Sequence, residues 1–223
     1  MIRTRIKICG LTREQDVDAA VEAGADAIGF VRYPPSPRFV TIERAVALAQ
    51  RLPVFVTPVL LYVNEDTTNI VANLQALPLA MPQFHGDETP DACLAATAGG
   101  QRAYLRAARI PMAGAAPVFD LVEFAHTHRR AHALLLDAHV DSYGGSGKAF
   151  NWSLLPTSVD AHLVLSGGLT PANVIDGIKA VRGRGRSLAV DVSSGVESAK
   201  GIKDPARMRD FVAAVRAADG LNH

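Results

Sequence analysis

A cysteine, an aspartate, a histidine and an arginine stand at the ends of short apolar runs, where a fold can gather them on one rim. Cys9 closes Ile6-Lys7-Ile8-Cys9 and is followed by Gly10 and by Thr12, which with Gln15 has capping-box spacing. A thiol beside a capped helix can ionise below its usual ~8.5 and act as a base. The same residue at a strand end is equally a small buried hydrophobe. Asp137 follows Leu134-Leu135-Leu136. A carboxylate against so apolar a run must find a partner or keep its proton, and the second suits a general acid. Arg38 ends the stiff segment Pro34-Pro35-Ser36-Pro37, and its planar fork matches a carboxylate or a phosphate. A solvated loop arginine is the alternative. His85, after Met81–Phe84, is a base, a ligand or a hydrogen-bonded core histidine. Asp191 leads into Val192-Ser193-Ser194-Gly195, and Ser166-Gly167-Gly168 stands after another apolar run. Small residues in such loops let backbone N–H groups approach an anion, and phosphate sites are often built this way. Tight turns need the same glycines.

The elements that must position these groups alternate. Candidate strands are Ile6–Cys9, Ala27–Val31, Val59–Val63, Met81–Phe84, Tyr104–Arg106, Leu134–Leu136, Leu163–Leu165 and Leu188–Val190. Several are continuously apolar, as in parallel strands covered by helices. Helices announce themselves between them. Gly24 is placed to stop the first, and Thr89-Pro90, Thr170-Pro171 and Asp204-Pro205 each put a capping side chain before a proline. Val174, Ile175, Ile178 and Val181 form one apolar stripe; Met208, Phe211, Val212 and Val215 form another. Eight such units predict a single (β/α)8 TIM barrel over residues 1–223, whose active site belongs at the C-terminal strand ends. An open doubly wound sheet is the alternative, weakened by the lack of G-x-G-x-x-G after the first strand. Residues 107–130 read weakly, since Pro111, Gly114 and Pro117 break any early helix.

Composition narrows the function. With 23 basic and 22 acidic residues the formal charge is +1, which gives no electrostatic case for nucleic acid or an anionic membrane. Apolar residues make up 48% of the chain, yet no run has the length of a membrane helix. The N-terminus does not read as a signal peptide, and Cys9 and Cys93 make no disulfide framework, so a cytoplasmic location is expected. Cys93 lies in a predicted helix and reads as structural. His126, His128 and His132 lie off the strand ends and lack partner carboxylates at ligand spacing, so no metal is expected. Arg182-Gly183-Arg184-Gly185-Arg186 reads as an exposed turn before the last strand.

The motifs, taken in order, resemble the phosphoribosylanthranilate isomerases. The likeness rests on Lys7-Ile8-Cys9-Gly10-Leu11-Thr12, Gly24–Phe30, Ser36-Pro37-Arg38-Phe39-Val40 and Gln83-Phe84-His85-Gly86-Asp87-Glu88. It continues through Leu136-Asp137-Ala138, Gly144–Lys148, Leu165-Ser166-Gly167-Gly168-Leu169 and Asp191–Glu197. The resemblance implies an Amadori rearrangement of N-(5-phosphoribosyl)anthranilate to 1-(2-carboxyphenylamino)-1-deoxyribulose 5-phosphate. It implies Cys9 as base and Asp137 as acid, Arg38 on the anthranilate carboxylate, and His85 and Asp191 lining the site. Gly167, Gly168, Ser193, Ser194 and Gly195 would hold the phosphate. No cofactor is implied, because the substrate's own amine is the electron sink. The expected partner is the phosphosugar substrate, with a monomer expected and a homodimer as the alternative. Arg32, Pro35, Leu60-Leu61 and Pro82 depart from the family's usual residues. Other phosphosugar barrels fit less well: an indole-3-glycerol phosphate synthase would want a strand-end lysine, and Lys7 lies within its strand. A pentose-phosphate epimerase would want a metal cluster. A non-catalytic phosphate sensor would have no need to keep both Cys9 and Asp137.

Overall fold

A computed structural model describes residues 3–111, 119–139, 152 and 155–220. Eight strands pair in parallel and in chain order, and the last closes on the first. They are β1 (Arg5–Cys9), β2 (Ala27–Val31), β3 (Thr57–Tyr62), β4 (Met81–Phe84), β5 (Leu105–Pro111), β6 (Ala133–His139), β7 (His162–Leu165) and β8 (Ser187–Val192). This is the expected (β/α)8 barrel. Between strands run α1 (Glu14–Ala23), α2 (Ile42–Ala49), α3 (Thr67–Ala76), α4 (Pro90–Ala96), α5 (Leu121–Thr127) and α6 (Val174–Val181). After β8 come a single 3-10 turn (Ser194–Val196), the hairpin β9 (Glu197–Ala199) and β10 (Ile202–Lys203), and α7 (Pro205–Gly220). Gly144–Lys148 and Ala138's side chain lie outside the described residues.

Strand period explains two separate packings. Alternate residues of each strand face the helices, and there Ile6, Ile8, Ile28, Phe30, Leu60, Tyr62, Phe84, Leu134, Leu136, Leu163, Leu165 and Val190 form one continuous apolar layer with the helix stripes. The stripe residues Val174, Ile178, Val181, Met208, Phe211 and Val215 are fully buried in it. The other face of the strands lines the barrel. Its apolar part is small: Ala107, Leu135 and Val164, with Ala133 and Ala189 against them.

Several ends form as expected. Gly24 takes φ 99°, a left-handed conformation suited to glycine, and its N–H bonds Val21 O at 3.0 Å. The Thr89 hydroxyl accepts from the Ala92 amide, and Asp204 accepts from the Ala206 and Arg207 amides. Two expectations fail. Thr12 does not cap α1: Arg13 is the N-cap with no side-chain bond, and Thr12 Oγ1 is turned toward Gly201 O, 3.4 Å away. Thr170-Pro171 opens a turn rather than α6, which starts three residues later after Asn173 Oδ1 accepts from the Thr170 amide. In the weak stretch, β5 runs on to Pro111 and Asp120 caps α5, while residues 112–118 lie outside the description. Pro82 is accommodated in β4, opposite Leu60.

A polar clasp closes the N-terminal face. The Asp219 carboxylate accepts from the Thr4 amide (3.0 Å), the Thr4 hydroxyl (2.6 Å) and Arg182 (2.7 Å). Arg182 is thus a structural residue, Arg184 caps α6 through Ala180 O, and Arg186 pairs with exposed Asp160. Of the arginine turn, Gly183 and Arg186 are open to solvent in the way the sequence suggested, and Arg182 and Arg184 are half-buried. Among the described residues no helix is long and apolar enough to cross a membrane.

Candidate active site

The C-terminal strand ends enclose a cleft of about 720 Å³ of empty space, open to solvent. Cys9, Arg38, His85, Asp137, Gly167, Gly168, Asp191, Ser193 and Ser194 all line it. Gly195 does not. It lies behind the rim, where a Cβ would sit 1.9 Å from Leu169 O, so it lets the loop after β8 press on the loop after β7.

Each wall has a local cause. Asp137 stands two residues beyond Leu135 on β6, on the face that lines the barrel, and Ser166 and Asp191 stand likewise beyond Val164 and Ala189. Asp137 has found a partner: His85 Nε2 lies 2.9 Å from its Oδ2. The Gln83 amide nitrogen lies 3.0 Å from His85 Nδ1. With that amide donating, the neutral imidazole carries its proton on Nε2 and donates to Asp137. The loop bearing His85 is fixed by buried Glu88, whose carboxylate accepts from the Asn64 amide at 2.8 Å and the Gly86 amide at 2.9 Å.

Cys9 is buried beside a charged row. Lys7, two residues earlier on the same face of β1, bonds Asp191 Oδ1 at 2.6 Å, and the Ser166 hydroxyl donates to Asp191 Oδ2. Barrel closure sets this pair, since Lys7 and Asp191 are register partners across β1 and β8. Burial opposes the Lys7 charge, but Asp191 and Cys9 outweigh it and hold the ammonium above its ordinary range. Burial also dominates at Cys9 and pushes the thiol up, against the opposing pull of Lys7. This corrects the expectation of a thiol lowered by a helix end: α1 begins past Arg13, and desolvation is the larger effect. Gly29, opposite Cys9 in β2, makes room for the sulfur; a Cβ there would sit 2.6 Å from Sγ.

Arg38 is not a solvated loop residue. It is buried, and its Nε and Nη2 bond the two oxygens of Glu197 at 2.7 and 2.8 Å. Gly167 and Gly168 both take left-handed φ, 76° and 66°, which turns the chain sharply over the cleft. The apolar part of the wall is Val31, Leu61, Val63, Leu169 and Val192, with Tyr33 beside them. Arg32 is absent from the lining and stacks its guanidinium 5.3 Å from the Phe39 ring centroid. The histidines off the rim do other work: His128 packs on Phe124, and burial with Arg106 pushes it down to about 4. Cys93 is buried in α4 with its thiol pushed up to about 12 by desolvation.

With this geometry in view, the comparisons with known proteins decide the family. Residues 6–214 match the model of N-(5'-phosphoribosyl)anthranilate isomerase. The chain belongs to this family. It is similar to the N-(5'-phosphoribosyl)anthranilate isomerase of Methylibium petroleiphilum, 59% identical over 98% of this chain and 96% of that one. Among solved structures it is similar to phosphoribosyl anthranilate isomerase from Thermotoga maritima (TM-score 0.83, 37% identity, 96% of this chain and 99% of that one). It also matches a phosphoribosyl anthranilate isomerase in complex with reduced 1-(o-carboxyphenylamino)-1-deoxyribulose 5-phosphate (TM-score 0.77, 34% identity, 96% and 99% covered). The isomerase fold and the isomerase motifs therefore coincide in one chain.

Sequence reasoning assigned no individual role to Lys7, Gly29, Gln83, Ser166, Glu197 or Lys203. Strand parity was the available signal for four of them: Lys7 with Cys9, Gln83 with His85, and Gly29 and Ser166 at matching heights on their strands. For Glu197 and Lys203 only the family motif ending in Glu197 offered a hint.

Proposed function

We propose that the chain catalyses the Amadori rearrangement of N-(5-phosphoribosyl)anthranilate in tryptophan biosynthesis, with Asp137 as general acid and Cys9 as general base. The observation that carries this reading is the convergence of Cys9, Asp137 and Arg38 with two small-residue loops in one cleft. Asp137 gives its proton to the furanose ring oxygen. The C1–O bond breaks, and the nitrogen lone pair forms the C1=N bond. The Cys9 thiolate then removes the proton on C2, and that electron pair forms C1=C2 and neutralises the iminium. The enolamine ketonises by gaining a proton at C1 and losing one from the C2 hydroxyl. Atoms and electrons balance within the substrate.

The surroundings fit these roles. A proton leaving Asp137 creates a carboxylate that His85 Nε2–H, 2.9 Å away, stabilises. Lys7 supplies the positive charge beside the Cys9 thiolate. Glycine and serine amides after β7 and β8 suit a phosphate, and Arg38 suits the anthranilate carboxylate. We place the reaction in the cytoplasm.

The test is the decay of anthranilate-type fluorescence when phosphoribosylanthranilate, generated in situ, meets the chain or its Cys9→Ala variant. Rapid loss with the native chain and a fall of ~10²–10⁴-fold in the variant are expected. Equal rates would remove Cys9 from the mechanism; no loss with folded native protein would remove the reaction. Because the reaction needs the Cys9 thiolate and the protonated Asp137 carboxyl together, kcat/KM should follow a bell-shaped pH profile, and because burial raises the thiol its alkaline limb should lie above the ordinary thiol range. A profile that goes on climbing through alkaline pH would contradict this.

A further inference from the structure

Arg38 sits on a loop rather than on a strand, and an arginine there has many rotamers to lose before it can orient a ligand. Two buried residues remove that freedom. Glu197 takes the side edge of the guanidinium, Nε and Nη2, with both carboxylate oxygens. A guanidinium has five N–H donors, and this fork uses one on Nε and one on Nη2. The end edge, one N–H each on Nη1 and Nη2, stays in a plane that Glu197 fixes. Glu197 is itself held by Lys203, whose Nζ lies 2.8 Å from Glu197 Oε1 and 2.9 Å from Ser193 O. The two are register partners across the β9–β10 hairpin, so their side chains share one face. Arg38, Glu197 and Lys203 are all buried. The hairpin also reaches the Arg38 loop by its backbone: a Cβ on Gly201, at φ 81°, would sit 3.0 Å from Pro37 O. Buried ion pairs are weak evidence for stability, because desolvation offsets their attraction. Orientation is what this one offers.

We propose that Glu197 is a positioning residue that, through Arg38, sets the preference for substrates whose aryl ring carries a carboxylate. The proposal rests on the reading of Arg38 as the carboxylate-binding residue. Glu197 aims the end edge of Arg38 into the cleft, where it meets the aryl carboxylate.

The experiment measures Kd for two stable ligands, 1-(2-carboxyphenylamino)-1-deoxyribitol 5-phosphate and its 1-phenylamino counterpart, which lacks the carboxylate. Native protein, Glu197→Gln and Arg38→Met are compared. Glu197→Gln should cut the preference for the carboxylated ligand by about tenfold or more, as expected when one charged fork is lost, and leave the phenylamino ligand's Kd unchanged. A full preference in Glu197→Gln together with its loss in Arg38→Met would overturn the positioning role and leave the Arg38 reading standing. Retention of the preference in Arg38→Met would overturn that reading and the proposal with it. Equal weakening of both ligands in Glu197→Gln would show a merely structural residue and overturn the proposal. If Glu197→Gln does not fold, Glu197→Asp, which keeps the charge and shortens the reach, replaces it with the same outcomes.

Discussion

The layer outside the barrel strands and the space inside them are packed by opposite rules. Outside, Phe30, Leu60, Tyr62, Phe84, Phe211 and their neighbours make a continuous apolar core. Inside, a small plug around Ala107, Leu135 and Val164 gives way to Lys7, Gln83, Asp191 and Ser166, all buried and polar. The same strands supply both, one face each. The outer face gains from burying apolar area, roughly 25 cal/mol per Å². The inner face holds a buried ion pair that is costly to desolvate, Lys7 to Asp191, and a hydrogen-bonded pair, His85 to Asp137. Stability is thus concentrated on one side of the sheet and chemistry on the other.

That division can be broken most forcefully from inside. Asp137→Asn should lower kcat by ~10²–10⁴-fold with little change in Tm. A variant that melts early yet turns over normally would reverse the argument. The outer counterpart is Phe211→Ala. Deleting this fully buried ring should cost about 3–5 kcal/mol in urea unfolding and leave kcat at low temperature near the native value. Gly29→Ala sharpens the contrast, since it adds one methyl inside. Its Cβ would collide with Cys9 Sγ, and a misplacement of that order costs on the order of 10²-fold in kcat. Unchanged kcat would show that the sulfur has room the structure does not give it.

The smallest effect belongs to the clasp at the opposite end. Burial alone would raise the Asp219 carboxyl, but Thr4 and Arg182 outweigh it and hold it below its ordinary range. A lowered folded pKa stabilises above the unfolded value of ~3.9, and that stability is lost as pH falls below it. Asp219→Asn should therefore cost about 1–3 kcal/mol at neutral pH, and the gap between variant and native should narrow below about pH 4. Urea midpoints at pH 7 and pH 3.5 read this directly; a gap that widens in acid would refute it. Activity of the folded variant should be native-like, because the clasp lies at the far end from the cleft.

The sequence by itself determined the elements. Ala27–Val31 was read with its observed bounds, because parallel strands buried on both faces leave uninterrupted apolar runs between turn residues, and Met81–Phe84 was read with its observed bounds although Gln83 interrupts it. It also determined that Cys9, His85, Asp137 and Asp191 share a rim, since each ends such a run and the barrel puts run ends together. Tertiary structure alone decided the partnerships. Thr12 looked like a cap until Gly201, distant in sequence, drew its hydroxyl away. Arg38 finds Glu197 across 159 positions, and Lys7 finds Asp191 across 184. Closure of β8 onto β1 creates the second pair, and the hairpin that follows closure creates the first. The direction of the Cys9 thiol shift was likewise undecidable in one dimension. Helix ends act over a local turn, whereas desolvation depends on everything that packs around the sulfur.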